Sequence, residues 1–263
     1  MEISTRTFSG KQLLGYDLLK PYSQVVGFST TRHGGCGKGA YASFNCTHYC
    51  GDRPEFVKTN RDILVGLLPQ KPKELVIPRQ THSTCVRVIS SPSSLCELDE
   101  VDAVVTNLPG YCMCISTADC IPVLLYDTNR QVVAAVHAGW RGTVGRIVEK
   151  TLDTMEACFG TKGKDVVACV GPGISLEAFE VGDEVYRAFE EAGFEMSRIS
   201  RRYTKWHLVL WEANRLQLLA HGVDENRIEV AGVCTYHQCD DFFSARRLGI
   251  RSGRILSGIM LLD

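Results

Sequence analysis

Six short, strongly apolar segments follow one another from about residue 75 to residue 137, and no other feature constrains the fold as much. Pro, Asn, Asp and Gly separate them, so each segment is too short for a typical helix and predicts a strand. VVAAV and PVLLY alternate little, as expected of strands that are covered on both faces. The segments are ELVIP, CVRVI, DAVVT, YCMCIS, PVLLYD and QVVAAVH.

The rest of the chain adds helices and further strands around these segments. Apolar residues at helical spacing predict four helices: from Pro54 to the residue before Pro69, from about Thr143 to Gly160, near 183–192 and near 211–221. Further strands are predicted at 24–31 and in DVVACV, RIEVAGV and GRILSGIMLL. Because strands come in runs and not in strict β-α alternation, we expect an α+β fold with mixed β-sheets flanked by helices, in a single domain spanning residues 1–263.

Composition and charge narrow the classes of partner. The 29 basic and 30 acidic residues give a net charge of −1, so no overall field attracts nucleic acid or an anionic membrane, and a small-molecule substrate is favoured. No stretch reaches the roughly 18 apolar residues of a membrane span, and MEISTRTFSG lacks the pattern of a signal peptide, so a cytoplasmic protein is expected. The twelve cysteines are then expected to be mostly free thiols.

Three metal-capable side chains lie at predicted strand ends or turns. They are His82 in RQTH, Cys120 in TADC and His137 in VHAGWRG. Two imidazoles and one thiolate leave one tetrahedral position of zinc open for water or substrate, which is typical of a catalytic site. Spacing alone does not require that they meet, because they are 38 and 17 residues apart in the chain.

Blocks over nearly the whole chain resemble the YfiH/YlmD family. This family is also called the laccase-domain or multicopper polyphenol oxidoreductase family and was later described as purine nucleoside phosphorylases. Two positions depart from the usual pattern, Phe179 where Tyr is frequent and Ala245 where an aromatic residue is frequent. The blocks include GFSTTRHGG at 27–35, GAYASFN at 39–45, RQTH at 79–82, DAVVTNLPG at 102–110, TADCIPVLLYD at 117–127, VHAGWRGT at 136–143, GPGI at 171–174, FFSARR at 242–247 and GR at 253–254.

The resemblance implies a metal centre on a fold similar to a cysteine hydrolase. By resemblance, His82, Cys120 and His137 bind zinc, with copper as the alternative metal. The same fold similarity implies a second use of the same atoms, in which Cys120 is a nucleophile and His137 its base. Asp119, directly before Cys120, is a candidate general acid or base, or a partner that orients the metal site, and its alternative is a turn or capping residue.

Several polar residues are candidates for binding the substrate. Arg32 begins the glycine-rich run HGGCGKG, whose backbone can approach an anion closely, and we expect a phosphate there. The alternative is a flexible surface loop with a solvated arginine. Arg141, Arg246 and Arg247 are weighed in the same way, and His33 is a further candidate because it adjoins Arg32. Asn45 and Gln80 are candidate amides that contact the substrate.

The resemblance implies a metal-dependent purine nucleoside phosphorylase that cleaves adenosine or inosine with phosphate, with adenosine deamination as a side activity. A copper-dependent polyphenol oxidase is the first alternative, although seven histidines without an H-x-H motif do not supply both a blue-copper and a trinuclear centre. A hydrolase that edits peptidoglycan precursors is the second alternative. A metal site that only stabilises the fold is the third.

Overall fold

A computed structural model describes residues 11–263. The segment MEISTRTFSG, on which the prediction that the chain has no signal peptide was based, lies outside the described residues. The strands are β1 Leu13–Gly15, β2 Val25–Thr30, β3 Glu74–Val76, β4 Val86–Ile89, β5 Ala103–Thr106, β6 Tyr111–Thr117, β7 Ile121–Asp127, β8 Val132–Ala138, β9 Val166–Val170, β10 Glu180–Val181, β11 Ser200–Arg202, β12 Trp206–Leu208, β13 Ile228–Val230 and β14 Ile255–Leu261. The helices are α1 Pro54–Leu67, α2 Trp140–Val144, α3 Ile147–Phe159, α4 Asp183–Glu191, α5 Met196–Ile199, α6 Leu210–Ala220 and α7 Ala245–Leu248.

The strands form two large mixed sheets and one small sheet. One sheet has the order β1-β2-β14-β6-β3, a second has the order β13-β9-β7-β8-β5-β4, and β10-β12-β11 form the third. The pairs β3 with β6, β4 with β5 and β13 with β9 are parallel, and the other pairs are antiparallel. The predicted α+β class with mixed sheets is therefore confirmed.

The two large sheets pack face to face, with helices on both outer faces. Met113 and Ile115 of β6 share one apolar cluster with Leu124 of β7 and Val133 of β8. The other face of the six-stranded sheet packs against α3, α4 and α6, and the outer face of the five-stranded sheet packs against Leu64 of α1. Every residue of β7 and β8 is buried, which explains why these strands lack alternation.

The helix predicted from about Thr143 is wrong in its first part. The structure has the short α2 and then α3, separated at Arg146, whose φ is 61°. The Arg146 guanidinium donates to the Ala192 carbonyl at 2.7 Å and stacks 3.7 Å from the centre of the Phe194 ring. These tertiary contacts outweigh the local helical preference. Gly160 ends α3 with a φ of 73°, as predicted.

Two further features concern the chain as a whole. All twelve cysteines are free thiols. Within the described part of the chain, no helix has both the length and the apolar character needed to cross a membrane.

Candidate metal centre

His82, Cys120 and His137 converge at one end of the six-stranded sheet. β7 and β8 are antiparallel neighbours with Pro122 opposite His137, so Cys120, which directly precedes β7, lies beside the end of β8 that carries His137. His82 comes from the turn between β3 and β4. The candidate ligand atoms lie within 4.8 Å of one another, and Cys120 Sγ is 3.7 Å from His82 Nε2. The three predicted metal-binding residues therefore meet in one site.

The donor set fits a transition-metal ion. Bonds of about 2.3 Å to sulfur and about 2.0 Å to nitrogen place tetrahedral zinc ligands about 3.5 Å apart, close to the separation of Cys120 and His82. His137 uses Nδ1 to contact Asp102, which leaves Nε2 for a metal. Among residues 11–263, these three form the one group of three or more His, Cys, Asp or Glu side chains placed to hold an ion.

Asp102 connects the segments that carry the two histidines, and the sequence analysis did not select it. Its fully buried carboxylate accepts from His137 Nδ1–H at 2.7 Å and from the His82 backbone N–H at 3.0 Å on one oxygen. The other oxygen accepts from the Ser83 N–H at 2.8 Å, the Ser83 hydroxyl at 2.7 Å and the Thr81 N–H at 3.2 Å. These bonds hold His82 at a φ of 62°, which is unfavourable for a residue other than glycine.

The charges of the site favour a thiolate before any metal binds. Burial raises the pKa of Cys120, but the charge of His137 and hydrogen bonds from His137 and His82 outweigh it and lower the pKa to about 6. Burial lowers the pKa of His137, but Cys120 and the hydrogen bond to Asp102 raise it to about 9. Near neutral pH the metal-free site is thus a thiolate–imidazolium pair, and His137 must release a proton when it binds a metal.

The Asp119 carboxylate has three hydrogen-bond partners, and none of them is a candidate metal ligand. It accepts from the Thr235 hydroxyl at 2.7 Å, the Ser244 hydroxyl at 2.6 Å and the Arg246 backbone N–H at 2.7 Å. These contacts hold Asp119 at a φ of 88° and tie the residue before Cys120 to the start of α7. These contacts agree with the alternative interpretation of Asp119 as a capping residue, because it accepts from a backbone N–H in the first turn of α7. A catalytic role for Asp119 stays a prediction.

Gly139 leaves space for the site. A β-carbon at this position would lie 2.9 Å from Cys120 Sγ and 2.9 Å from His82 Cδ2, closer than such contacts normally are. Its φ is −69°, so the requirement for glycine comes from packing and not from backbone conformation. Gly139, the first glycine of VHAGWRG, therefore allows two candidate ligands to approach the end of β8.

Among the predicted substrate-binding residues, Gln80 lines the cavity beside the metal centre. Its Oε1 accepts from the Ser116 N–H at 2.7 Å and from the Tyr49 hydroxyl at 3.0 Å, and its Nε2 donates to the Ser116 carbonyl at 2.9 Å. Asn45 is fully buried and donates to Asp52 at 2.9 Å. The amide of Gln80 thus shapes the cavity, whereas that of Asn45 supports a neighbouring loop.

The predicted cationic residues lie outside the lining of this cavity. Arg32 donates through Nε to the Ala42 carbonyl at 2.8 Å and through Nη1 to the Cys239 carbonyl at 2.5 Å. His33 pairs with Asp241 at 2.7 Å. Arg141 is exposed and lies 4.2 Å from the centre of the Trp140 ring. Their roles in binding substrate stay predictions.

The cavity that opens onto the three candidate ligands has a volume of about 170 Å³. A larger cavity of about 450 Å³, lined in part by Leu18 and Glu229, contains none of these ligands, and we base the site on chemistry and not on size. The smaller cavity is lined by Tyr49, Gln80, His82, Ser116, Thr117, Ala118, Cys120, His137, Ala245, Ile250 and Arg254. Three of these, Tyr49, Ile250 and Arg254, were not selected from the sequence as site residues, because they lie in loops far in the chain from His82, Cys120 and His137.

Comparison with known proteins identifies the family. The model of the family described as multi-copper polyphenol oxidoreductase laccase matches residues 26–262. The chain belongs to this family. Solved structures of family relatives share the fold: YlmD from Geobacillus stearothermophilus superposes with a TM-score of 0.90 at 28% identity, covering 100% of both chains. A Neisseria meningitidis protein superposes with a TM-score of 0.84 at 36% identity, covering 96% of this chain and 100% of its own.

Relatives within this laccase family carry the names of purine-directed enzymes. A purine nucleoside phosphorylase of Bacteroides thetaiotaomicron is 56% identical over 261 residues, which cover 95% of this chain and 97% of that protein. The adenosine deaminase RL5, from an unknown prokaryotic organism, is 41% identical over 253 residues, which cover 92% of this chain and 96% of that protein. These relatives support an enzymatic function with a small-molecule substrate.

Proposed function

We propose that this member of the laccase family is a zinc-assisted purine nucleoside phosphorylase. The observation that carries the proposal is the meeting of His82, Cys120 and His137 at one cavity in a chain 56% identical to a purine nucleoside phosphorylase. Zinc is the metal we infer, because one thiolate and two imidazoles suit it and leave one position open. Copper is the alternative metal.

The reaction breaks the glycosidic bond between the sugar and the base. An oxygen of hydrogen phosphate forms a bond to C1′, the electrons of the C1′–N bond pass to the base, and the proton of hydrogen phosphate ends on the base nitrogen. The products are the free base and the sugar 1-phosphate. Bound zinc would supply a Lewis acid that polarises a substrate oxygen.

The side chains of the site orient the substrate and move protons. Asp102 fixes the ring of His137 and the backbone of His82, so the groups around the reacting atoms do not have to reorganise. His137 lines the cavity, and its raised pKa means that the metal-free ring carries a proton that it releases when it binds zinc. In the zinc-loaded protein the leaving base therefore takes its proton from hydrogen phosphate. Cys120 either binds the metal or attacks as a nucleophile, because one sulfur does not do both at once.

Adenosine deamination is a second candidate activity. It is favoured by the 41% identity to an enzyme named adenosine deaminase. In that reaction water replaces the exocyclic amine, and ammonia and inosine form without phosphate; a metal held by His82, Cys120 and His137 would supply the activation of the water. Phenol oxidation has weaker support, since a laccase needs additional copper ligands and residues 11–263 hold one candidate cluster.

The test uses purified protein loaded with one equivalent of zinc and incubated with adenosine or inosine, with and without phosphate. We expect free base and ribose 1-phosphate in equal amounts, formed only with phosphate. Ammonia release from adenosine without phosphate measures the deaminase activity in the same preparation. The matched control for the His137→Ala variant is His221→Ala, which changes a histidine paired with Asp153 away from the cavity.

Three results would contradict the proposal. Base release that does not depend on phosphate indicates a hydrolase. A complete lack of turnover with zinc, together with rapid oxidation of phenols in the copper-loaded protein, indicates an oxidase. Lost metal binding in His137→Ala with full turnover of nucleosides would separate the reaction from this site.

A further inference from the structure

The cavity beside the metal centre contains one arginine, Arg254, and no other side chain that is permanently charged. Its remaining lining residues are neutral or belong to the metal-binding group, and neither Asp nor Glu is among them. The cavity is therefore suited to an anion, because a ligand with negative charge meets one fixed cation and no carboxylate on the lining. Asp102 is not part of the lining, and its buried negative charge is stabilised by five hydrogen bonds, one of them from His137.

Arg254 is held in place before any ligand binds. Its Nη1 donates to the Ser252 carbonyl at 2.6 Å and to the Gly253 carbonyl at 3.0 Å, and its Nη2 donates to the Ile250 carbonyl at 2.9 Å. Its backbone N–H donates to Asn45 Oδ1 at 3.1 Å. These bonds use three of the five guanidinium hydrogens. The Nε–H and one hydrogen of Nη2 have no partner in the described structure and remain for a ligand.

The other arginines selected from the sequence are less suited to an anion at this place. Arg32 spends Nε and Nη1 on backbone carbonyls and packs over the Phe243 ring at 5.1 Å. Arg141 lies over the Trp140 ring on the surface. Neither lines the cavity that contains the candidate metal ligands. Phosphate bound by either arginine would not lie beside that centre.

We propose that Arg254 binds the attacking phosphate, through Nε–H and Nη2–H to two phosphate oxygens. This inference rests on the proposed phosphorolysis and names the side chain that binds phosphate, the second substrate of that reaction. A guanidinium matches two oxygens of a phosphate in one plane, which fixes the directions of the other two oxygens. One of these two oxygens then forms the bond to C1′ as the C1′–N bond breaks.

The loop that holds Arg254 also contributes an apolar side chain to the lining of the cavity. Ile250, whose carbonyl accepts from Arg254, lines the cavity and is 74% exposed, which is unusual for a large apolar side chain. An apolar group at the rim can cover a sugar or base while the arginine behind it contacts phosphate. The loop thus links the phosphate subsite to the position of the nucleoside.

The experiment compares Arg254→Gln, Arg254→Lys and the control Arg251→Gln in zinc-loaded protein. Arg251 is an exposed neighbour that does not line the cavity. For Arg254→Gln we expect the KM for phosphate to rise about 10- to 100-fold, the effect of losing about one charge-assisted hydrogen bond, because the glutamine amide can still donate one. The KM for the nucleoside and the zinc content should stay unchanged. Arg254→Lys should lie in between, because it keeps the charge and loses the planar fork.

A binding measurement keeps the test independent of turnover. Titration calorimetry with inorganic phosphate should show equal binding to the zinc-loaded wild type and to Arg251→Gln, binding weaker by about 10-fold or more to Arg254→Gln, and an intermediate loss of affinity in Arg254→Lys. If Arg254→Gln does not fold, Arg254→Lys decides. Unchanged KM and affinity for phosphate in a folded Arg254 variant would overturn this inference while phosphorolysis stands. Absence of phosphorolysis in the wild type would overturn the proposed function itself.

Discussion

Replacing Asp102 with asparagine tests whether one buried carboxylate organises the metal centre. Asparagine keeps the shape but turns one acceptor oxygen into an NH2 group. That group would face either the donors of His82 and His137 or those of Thr81 and Ser83, because each oxygen now accepts at least two hydrogen bonds. At least two bonds to an ionised acceptor are therefore lost in either orientation.

The expected magnitude follows from these bonds. A hydrogen bond to a charged group contributes about 1.5–3 kcal/mol, so the loss of two sets an upper range of about 3–6 kcal/mol for unfolding. Relaxation around Asp102 reduces this, and we expect the free energy of unfolding to fall by about 3 kcal/mol. Loss of such a supporting contact typically weakens metal binding about 10- to 100-fold. Urea unfolding of the metal-free protein and zinc competition with a chromophoric chelator measure the two effects.

Asp127→Asn is the matched control. Asp127 is a fully buried carboxylate at the far end of β7, where one oxygen accepts from the backbone of Asn129 and Arg130 and the other has no partner among residues 11–263. An amide NH2 can occupy the second position, so zinc affinity should stay at the wild-type value. The reasoning would be refuted if a folded Asp102→Asn protein had wild-type zinc affinity, or if Asp127→Asn lost as much zinc affinity as Asp102→Asn.

Further predictions concern the same site. Gly139→Ala should abolish metal binding, because the added methyl group would collide with Cys120 and His82. Gly66→Ala is the control: a β-carbon at this position in α1 meets no atom within 4 Å, so the substitution should stabilise the fold by about 0.4–1 kcal/mol. Metal analysis and thermal unfolding of both variants measure these effects. Cys120→Ser should lose bound zinc and Cys158→Ser, an exposed thiol, should keep it, as measured by mass spectrometry.

Since the pKa of Asp102 is lowered to about 2, its stabilising contribution is present above the ordinary value of 3.8 and is lost as the pH falls toward 2. Urea unfolding of the metal-free protein between pH 2 and 5 should show this loss, and Asp102→Asn should lack it.

Local sequence patterns predicted the elements well where packing agreed with them. The long apolar segments became β6, β7 and β8, and helical spacing predicted α1, α4 and α6 near their observed bounds. The break at Arg146 was not predictable, because its cause is a contact with Ala192 and Phe194 about 46 residues later in the chain. The small sheet of β10, β11 and β12 was also missed, since its strands are two or three residues long.

The candidate site was likewise predictable from the sequence only in part. Residue chemistry and the family blocks selected His82, Cys120 and His137, and their meeting is confirmed by the structure. Asp102 carried a signal of its own, because it is an acid at the start of a predicted strand in a chain with candidate metal-binding histidines, and such histidines usually donate to a carboxylate. Arg254 stands in the family block GR at 253–254, but nothing in that short block indicated that its side chain lies beside the candidate metal ligands.

The sequence alone determined the α+β class, most of the strands and helices, and the donor atoms that a metal would meet, because periodicity and side-chain chemistry are properties of short segments. The tertiary structure decided which strands share a sheet, and it placed β6 in a different sheet from β5 and β7. It also decided that Asp102 joins the two histidine segments and that Arg254, not Arg32, lies beside them. Such contacts depend on strand register and on loops that close over long separations, and neither is encoded in a local pattern.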